Sequence, residues 1–223
     1  MFPENLHYET KLIKKGRRYI AGVDEAGRGP WAGPIVVAAV VLDYAKLPTE
    51  YPINNDVLSG FDDRLYWKIN DSKKLTENAR EELYDFVIAI CKTYTIIEIS
   101  HEEIDQKGIS ETNKNGFYTA IAGLAKKPDH ILTDYFPVMG IASERQTNIP
   151  KGDRLSLTVG AASILAKVHR DRIMRKYGEK FPRYGFEKHK GYGTKAHREA
   201  ICKYGLCEIH RRSFAPMKVL HTF

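Results

Sequence analysis

The chain is poor in sulfur and in long apolar runs. Its three cysteines, Cys91, Cys202 and Cys207, are odd in number and form no CxxC pair. That excludes a disulfide-stapled scaffold and predicts reduced thiols in a cytoplasmic protein. A zinc site through Cys202, Cys207 and His210 lacks an evident fourth ligand. No apolar run approaches the roughly 18 residues of a membrane helix, so no membrane partner is expected. The opening stretch MFPENLHYETKLIKK has no apolar core of a secretory leader. Internal repeats and low-complexity tracts are absent. Acidic residues are scarce in one region. From Lys151 to Phe223 there are 17 Lys and Arg against 6 Asp and Glu, while the remainder carries 18 against 22. A basic third joined to an acidic remainder points to a polyanion, most commonly nucleic acid. A solubilising charged surface accounts for the same numbers.

What is present suffices for a core. The 223 residues, 43% of them hydrophobic, fit one globular domain spanning 1–223, and a monomer is the expected state. RRYIAGV reads as a strand ending at Asp24. PIVVAAVVL (34–42) is a continuous apolar run, as in a strand covered on both faces. The short glycine-rich connection predicts that the two pair antiparallel. Residues 43–70 are polar and read as a long surface insertion. LTENAREELYDFVIAICK predicts a helix capped by Thr76, with a buried stripe at 83, 86, 87 and 90. TYTIIEIS is a strand, HEEIDQKG a short helix ended by Gly108, and 111–127 a further helix. HILTDY (130–135) is a strand ending at Asp134. Helices follow over 158–178, with a stripe at Ala161, Ile164, Leu165 and Val168, and over 194–205. The order β-β-α-β-α-β-α-α is that of a layered α/β domain.

Asp24 and Asp134 both follow apolar strands, where the chain leaves the sheet, and Glu25 adjoins Asp24. If the strands are neighbours, the carboxylates converge. Crowded carboxylates resist ionisation unless a cation screens them, and Mg²⁺ or Mn²⁺ suits oxygen ligands. A single such acid is more simply a turn cap; two at the ends of two strands favour metal. A third contributor is open among Asp153 in a Lys-Gly-Asp turn, Glu144 in a polar loop, and Asp171. Asp171 stands four residues after Lys167, as in an exposed helical ion pair.

Seven segments in order, GVDEAGRGPWAGPIVVAAVVL, DSKKLTENAREEL, ILTDY, KGD, AASILAKVHRDR, HKGYGTKAH and HRRSFAP, resemble the motif series of the type 2 ribonucleases H, the bacterial ribonuclease HII family. The resemblance runs from about residue 18 to 217. It implies a ribonuclease H-like fold: a mixed five-stranded sheet flanked by helices (18–160) and a helical, basic C-terminal part (161–223). It implies endonucleolytic cleavage of RNA in RNA–DNA hybrids and 5′ to single ribonucleotides embedded in duplex DNA, with Mn²⁺ or Mg²⁺ in a two-metal site. Carried over residue by residue, the metal-binding acids fall on Asp24, Glu25, Asp134 and Asp153. Gly27, Arg28 and Gly29 match a ribose-reading loop, and Tyr192 the tyrosine that packs on the sugar beside the scissile bond. Lys73, the AASILAKVHRDR helix with Arg170, and Lys190 match regions that face phosphates. Arg28, where the sister ribonuclease HIII has lysine, and only about 17 residues before the first strand favour HII. His189 and His197 are read as structural or phosphate-facing. A sliding clamp is a conceivable partner of the apolar tail APMKVLHTF, which reads more simply as packed. The alternatives are another ribonuclease H-fold nuclease, such as a resolvase, or a non-catalytic nucleic-acid-binding protein.

Overall fold

The computed structural model describes residues 6–46, 65–69 and 76–220. In chain order the elements are α1 (His7–Lys14), β1 (Ile20–Ala26), β2 (Ile35–Leu42), α2 (Leu65–Lys68), α3 (Glu77–Ile90), β3 (Cys91–Ile99), α4 (His101–Lys107), α5 (Ile109–Ala122), β4 (His130–Asp134), β5 (Gln146–Ile149), α6 (Gly152–Leu155), α7 (Leu157–Lys180), α8 (Phe186–His189), α9 (Lys195–Tyr204) and α10 (Ala215–Leu220). The strands form one mixed sheet in the order β3-β2-β1-β4-β5. β1, β2 and β3 pair antiparallel, whereas β4 runs parallel to β1 and to β5. This is the α/β layering that the residue pattern and the resemblance both imply.

The unbroken apolar run of β2 has a direct cause. All eight of its residues are buried, because helices cover both faces of the sheet. Val36, Ala38, Val40 and Leu42 pack toward α3 and α7, and Ile35, Val37, Ala39 and Val41 pack with Phe117 and Ile121 of α5. Thr76 caps α3 by accepting from the Ala79 N–H, and Leu83, Phe86, Val87 and Ile90 are its buried stripe, as its spacing predicts. Gly108, at φ 79°, ends α4.

Several elements differ from the pattern reading. β1 continues two residues past Asp24, since Glu25 and Ala26 keep pairing with Val37 and Val36. β5 has the polar sequence QTNI, so no apolar alternation announces it; its ladder with β4 alone makes it a strand. α1 is held from inside: buried Glu9 accepts from Ser156 Oγ at 2.6 Å and from the Thr158 N–H at 3.0 Å. Within 43–70, Leu65 and Ile69 are core residues at 0% exposure, so this end of the segment is no surface insertion. Residues 47–64 and 70–75 of the same region lie outside the described residues. The boundary between 160 and 161 falls inside α7, which lies across β1 and β2.

That contact is close at Gly22. A Cβ there would stand 2.4 Å from the backbone carbonyl of Thr158, where no side chain fits. Gly22→Ala therefore forces β1 and α7 apart and destabilises the fold by roughly 3 kcal/mol, read as a lower midpoint in urea denaturation. A wild-type midpoint would contradict this account of the contact.

Candidate active site

The parallel register of β1 and β4 pairs Val23 with Thr133. The next residues on the two strands are Asp24 and Asp134, so their side chains leave the sheet at the same edge. Alternation along β1 sends Asp24 and Glu25 to opposite sides of that edge. Asp24 meets Ser163 of α7, and Glu25 meets Asn113 of α5. Both carboxylates are anchored from the sheet side. Asp24 Oδ1 accepts from the Glu25 N–H at 2.8 Å, and Asp134 Oδ1 accepts from the Gly152 N–H at 2.8 Å. Gly152 itself approaches closely: a Cβ there would stand 3.2 Å from Asp134 Cα. Asp153 follows on α6 and is buried at 8% exposure.

Asp24, Glu25 and Asp134 open onto a cleft of about 570 Å³. The Gly27–Gly29 turn, Tyr192, Arg80 and Lys167 line the same cleft, and Asp153 is not among its lining residues. Thus the structure brings three of the four sequence-predicted acids to one opening, and the fourth adjoins Gly152, which packs against Asp134. Glu144 lies in an exposed loop. Asp171, on α7, pairs with Lys167 at 2.6 Å, but at 4% exposure it is buried, where an exposed pair is predicted.

The acids are under electrostatic strain. Burial, then the neighbouring Glu25, then Asp134, push Asp24 well above the usual carboxylate range, against hydrogen bonds from Ser163 and the Glu25 amide. Burial is also the main cause at Glu25, opposed by Arg28 and reinforced by Asp134, and lifts it to about 7. Glu25 Oε2 is buried with no hydrogen-bond partner among the described residues. Arg28 is a weak counterion. Its Nη1 is 3.8 Å from Glu25 Oε1, and its guanidinium lies 4.2 Å above the ring of Phe136. Like-charged oxygens, one of them orphaned, are what a hard divalent cation relieves, so the donor set fits Mg²⁺ or Mn²⁺. The cage is not closed: among the described residues no three acidic, histidine or cysteine side chains stand in metal-holding geometry. The same finding leaves the Cys202, Cys207 and His210 zinc reading without support.

Tyr192 is 45% exposed and faces the cleft. Two basic residues placed against phosphate by resemblance are located otherwise. Arg170 is 1% exposed and donates to the carbonyls of Ala32, Pro34 and Lys190. Lys190 is 8% exposed and turns its ammonium onto the carbonyl of Glu187. Both side chains are drawn inward onto backbone oxygens, so neither presents charge to a duplex. Lys73 lies outside the described residues. His197 is fully buried, its ring 4.5 Å from that of His189, and burial takes it down to about 4; its role is structural. Ser163 and Asn113 escape the sequence reading. Ser163 does leave a signal, as the one polar side chain between Val159 and Ala166 of a buried helix; Asn113 leaves none.

The family model described as Ribonuclease HII matches residues 21–217. A Ribonuclease HII of Bacillus cytotoxicus is 44% identical over 217 residues, covering 97% of this chain and 76% of that protein. This chain belongs to the ribonuclease HII family. It is accordingly an endoribonuclease, a hydrolase of the ribonuclease H class that acts on RNA–DNA hybrids. Two solved structures carry the same fold. The ribonuclease H2 of Pyrococcus horikoshii superposes with TM-score 0.71 at 28% identity, covering 91% of this chain and 96% of that one. The ribonuclease HII of a PCNA complex from Archaeoglobus fulgidus superposes with TM-score 0.69 at 28% identity, covering 92% and 97%. Among the described residues of this ribonuclease HII, no helix is long and apolar enough to cross a membrane.

The raised position of Glu25 gives a stability test. In the folded, metal-free protein Glu25 holds its proton up to about 7, against an ordinary value of 4.5. The folded state therefore binds more protons in that window, and the stability this provides is present at low pH and lost as pH rises through about 7. In EDTA, Glu25→Gln should gain thermal stability relative to wild type as pH is raised from about 4.5 to 7. A difference in Tm that does not change across that window would refute the shift.

Proposed function

We propose that this ribonuclease HII is a metal-dependent endonuclease that nicks duplex DNA on the 5′ side of a single embedded ribonucleotide, besides cutting the RNA strand of hybrids, and leaves 3′-OH and 5′-phosphate ends. The observation that carries the reading is the shared cleft, lined by three carboxylates, a glycine turn and an exposed tyrosine. Asp24, Glu25 and Asp134 would hold Mn²⁺ or Mg²⁺, with Asp153 completing the set. Divalent cations so held supply charge at the scissile phosphate and acidify an attacking water.

The chain's own residues supply position and selectivity. A ribose differs from a deoxyribose by one hydroxyl, and sensing it requires close approach. Gly29 presents backbone without a Cβ to the cleft, and the missing Cβ of Gly27 lets the turn rest on Arg170, so the sugar edge meets peptide groups directly. Tyr192 offers a flat face to the adjoining deoxyribose, where a 2′-hydroxyl fits less well. Its main chain is held in place by the Tyr192 N–H donating to the His189 carbonyl at 2.9 Å and by the His197 ring 3.0 Å from the Tyr192 carbonyl. Exposed lysines and arginines of the last third, such as Lys195 and Arg198, meet phosphates of both strands. The enzyme works as a cytoplasmic monomer in this reading. The PCNA complex of the Archaeoglobus relative makes a sliding clamp the protein partner to test; in this chain the start of α10 is packed down by Met217, at 1% exposure.

The deciding assay is a duplex with one ribonucleotide, incubated with Mn²⁺, Mg²⁺ or EDTA. A nick 5′ to the ribonucleotide, present with metal and abolished by EDTA, supports the reading. A metal-independent cut, or binding alone, sinks it in favour of another nuclease or a non-catalytic binder. Tyr192→Ala should lower kcat on that substrate on the order of 100-fold while duplex affinity falls far less. Equal losses in both would remove the tyrosine from sugar recognition. Affinity for duplex should fall steeply on a plot of log K against log salt, with a slope near −0.9 for each phosphate contacted; a flat line would remove the electrostatic role of the basic surface.

A further inference from the structure

Arg170 and Arg211 are 1% and 0% exposed, yet neither forms an ion pair among the described residues. Their guanidiniums bind backbone carbonyls instead. Arg211 donates through Nη2 to Gly27 O at 2.6 Å and Pro34 O at 3.1 Å, through Nη1 to Arg28 O at 3.0 Å, and through Nε to Gly33 O at 3.0 Å. Arg170 donates through Nε to Pro34 O at 2.9 Å, through Nη2 to Ala32 O at 3.1 Å, and through Nη1 to Lys190 O at 2.9 Å. Backbone bonds braid the same segments: Trp31 N–H to Gly191 O at 2.8 Å, Gly33 N–H to Ile209 O at 2.9 Å, and Arg211 N–H to Trp31 O at 2.8 Å. A Cβ on Gly27 would collide with Arg170 Nε at 2.1 Å, so the turn rests directly on that side chain.

Burying a guanidinium without a carboxylate is expensive, and a core could be filled more simply with apolar groups. Burial takes Arg211 down to about 9 and Arg170 to about 10, which leaves both charged at neutral pH. The gain from this costly arrangement is orientation. In a trans peptide the C=O and N–H point in opposite directions across one plane. Arg211 draws the carbonyls of Gly27 and Arg28 inward, so the N–H groups of Arg28 and Gly29 are turned the other way, toward the cleft that these residues line. Neither N–H has an acceptor among the described residues. The carbonyl oxygens, which would repel an anionic strand, are at the same time hidden behind the turn. Through Lys190 O, Arg170 ties this turn to the segment that carries Tyr192.

We propose that Arg211, with Arg170 beside it, is a positioning residue of the reaction: it sets the peptide planes of the Gly27–Gly29 turn and thereby the discrimination between ribose and deoxyribose. The inference rests on the reading of that turn as sugar-facing. Arg211 acts through the backbone and does not touch substrate. A lysine is a point charge that cannot reproduce the fork to four carbonyls.

The test compares wild type with Arg211→Lys on duplexes carrying one ribonucleotide and on the matched all-DNA duplex, with Tm recorded alongside. The expected result is a fall in kcat on the embedded ribonucleotide on the order of 10- to 100-fold, with KM nearly unchanged and the preference over all-DNA binding reduced. Wild-type kcat and preference in the variant would overturn the proposal. So would a loss of activity no larger than the loss of folded protein, which is what a purely structural arginine gives. A second measurement covers a variant that does not fold: amide spectra of wild type in EDTA, titrated with each duplex. The Arg28 and Gly29 N–H signals should shift with the ribonucleotide duplex and not with the all-DNA duplex; identical shifts overturn the proposal. Absence of nicking by wild type would sink the functional reading itself, whereas nicking by wild type with an unaffected variant sinks only the role of Arg211.

Discussion

Repulsion among carboxylates at the ends of two hydrogen-bonded parallel strands is the constraint from which the rest of the molecule follows. Asp24 and Asp134 occupy the step after Val23 and Thr133 in the ladder, so the sheet itself holds their backbones at neighbouring positions. Glu25 adds a third negative group, half-supported by Arg28. Such an arrangement loses stability on ionisation, and only a rigid surrounding keeps it assembled. The rigidity is visible: α7 lies against Gly22 with no room for a methyl group, and Gly152 packs tightly against Asp134. Three backbone and side-chain donors, from Ser163, Glu25 and Gly152, hold the acids from behind.

The glycine turn that lines the cleft is stabilised by the opposite charge. There the buried groups are guanidiniums, and their partners are carbonyl dipoles of the Gly27–Pro34 turn and of Lys190 rather than acids. Carboxylates that line the cleft beside guanidiniums buried behind the turn suit the site to a cation and to a sugar–phosphate strand held against a fixed backbone edge. The rings of His189, His197 and His210 contact one another next to the main chain of Tyr192, and burial lowers all three from the usual imidazole value, which favours rings without charge there.

Much of this architecture was legible in the linear chain. The apolar run of β2 announced a doubly covered strand, Thr76 and Gly108 marked helix ends, and the acids after β1 and β4 stood out because an aliphatic run should not end on charge. The motif series reached the family without any coordinates. The misses share a cause. QTNI is a strand only because β4 offers it a partner, Leu65 and Ile69 are core only because α3 and the sheet lie over them, and Arg170 is buried only because three carbonyls converge on it. Each depends on contacts between residues far apart in sequence, which composition and periodicity do not contain.

The amino-acid order by itself determined which residues alternate, which cap and which carry charge, because these follow from local backbone geometry and side-chain chemistry. It determined the family, because seven short segments keep their spacing. Tertiary structure alone decided that Asp153 is buried beside Gly152, that Arg28 is turned back on Glu25 and Phe136, and that Arg170 and Arg211 bind backbone carbonyls instead of a phosphate. A charged side chain is equally at home facing water or bonded to buried backbone, and only the three-dimensional placement of those carbonyls settles which environment has the lower free energy.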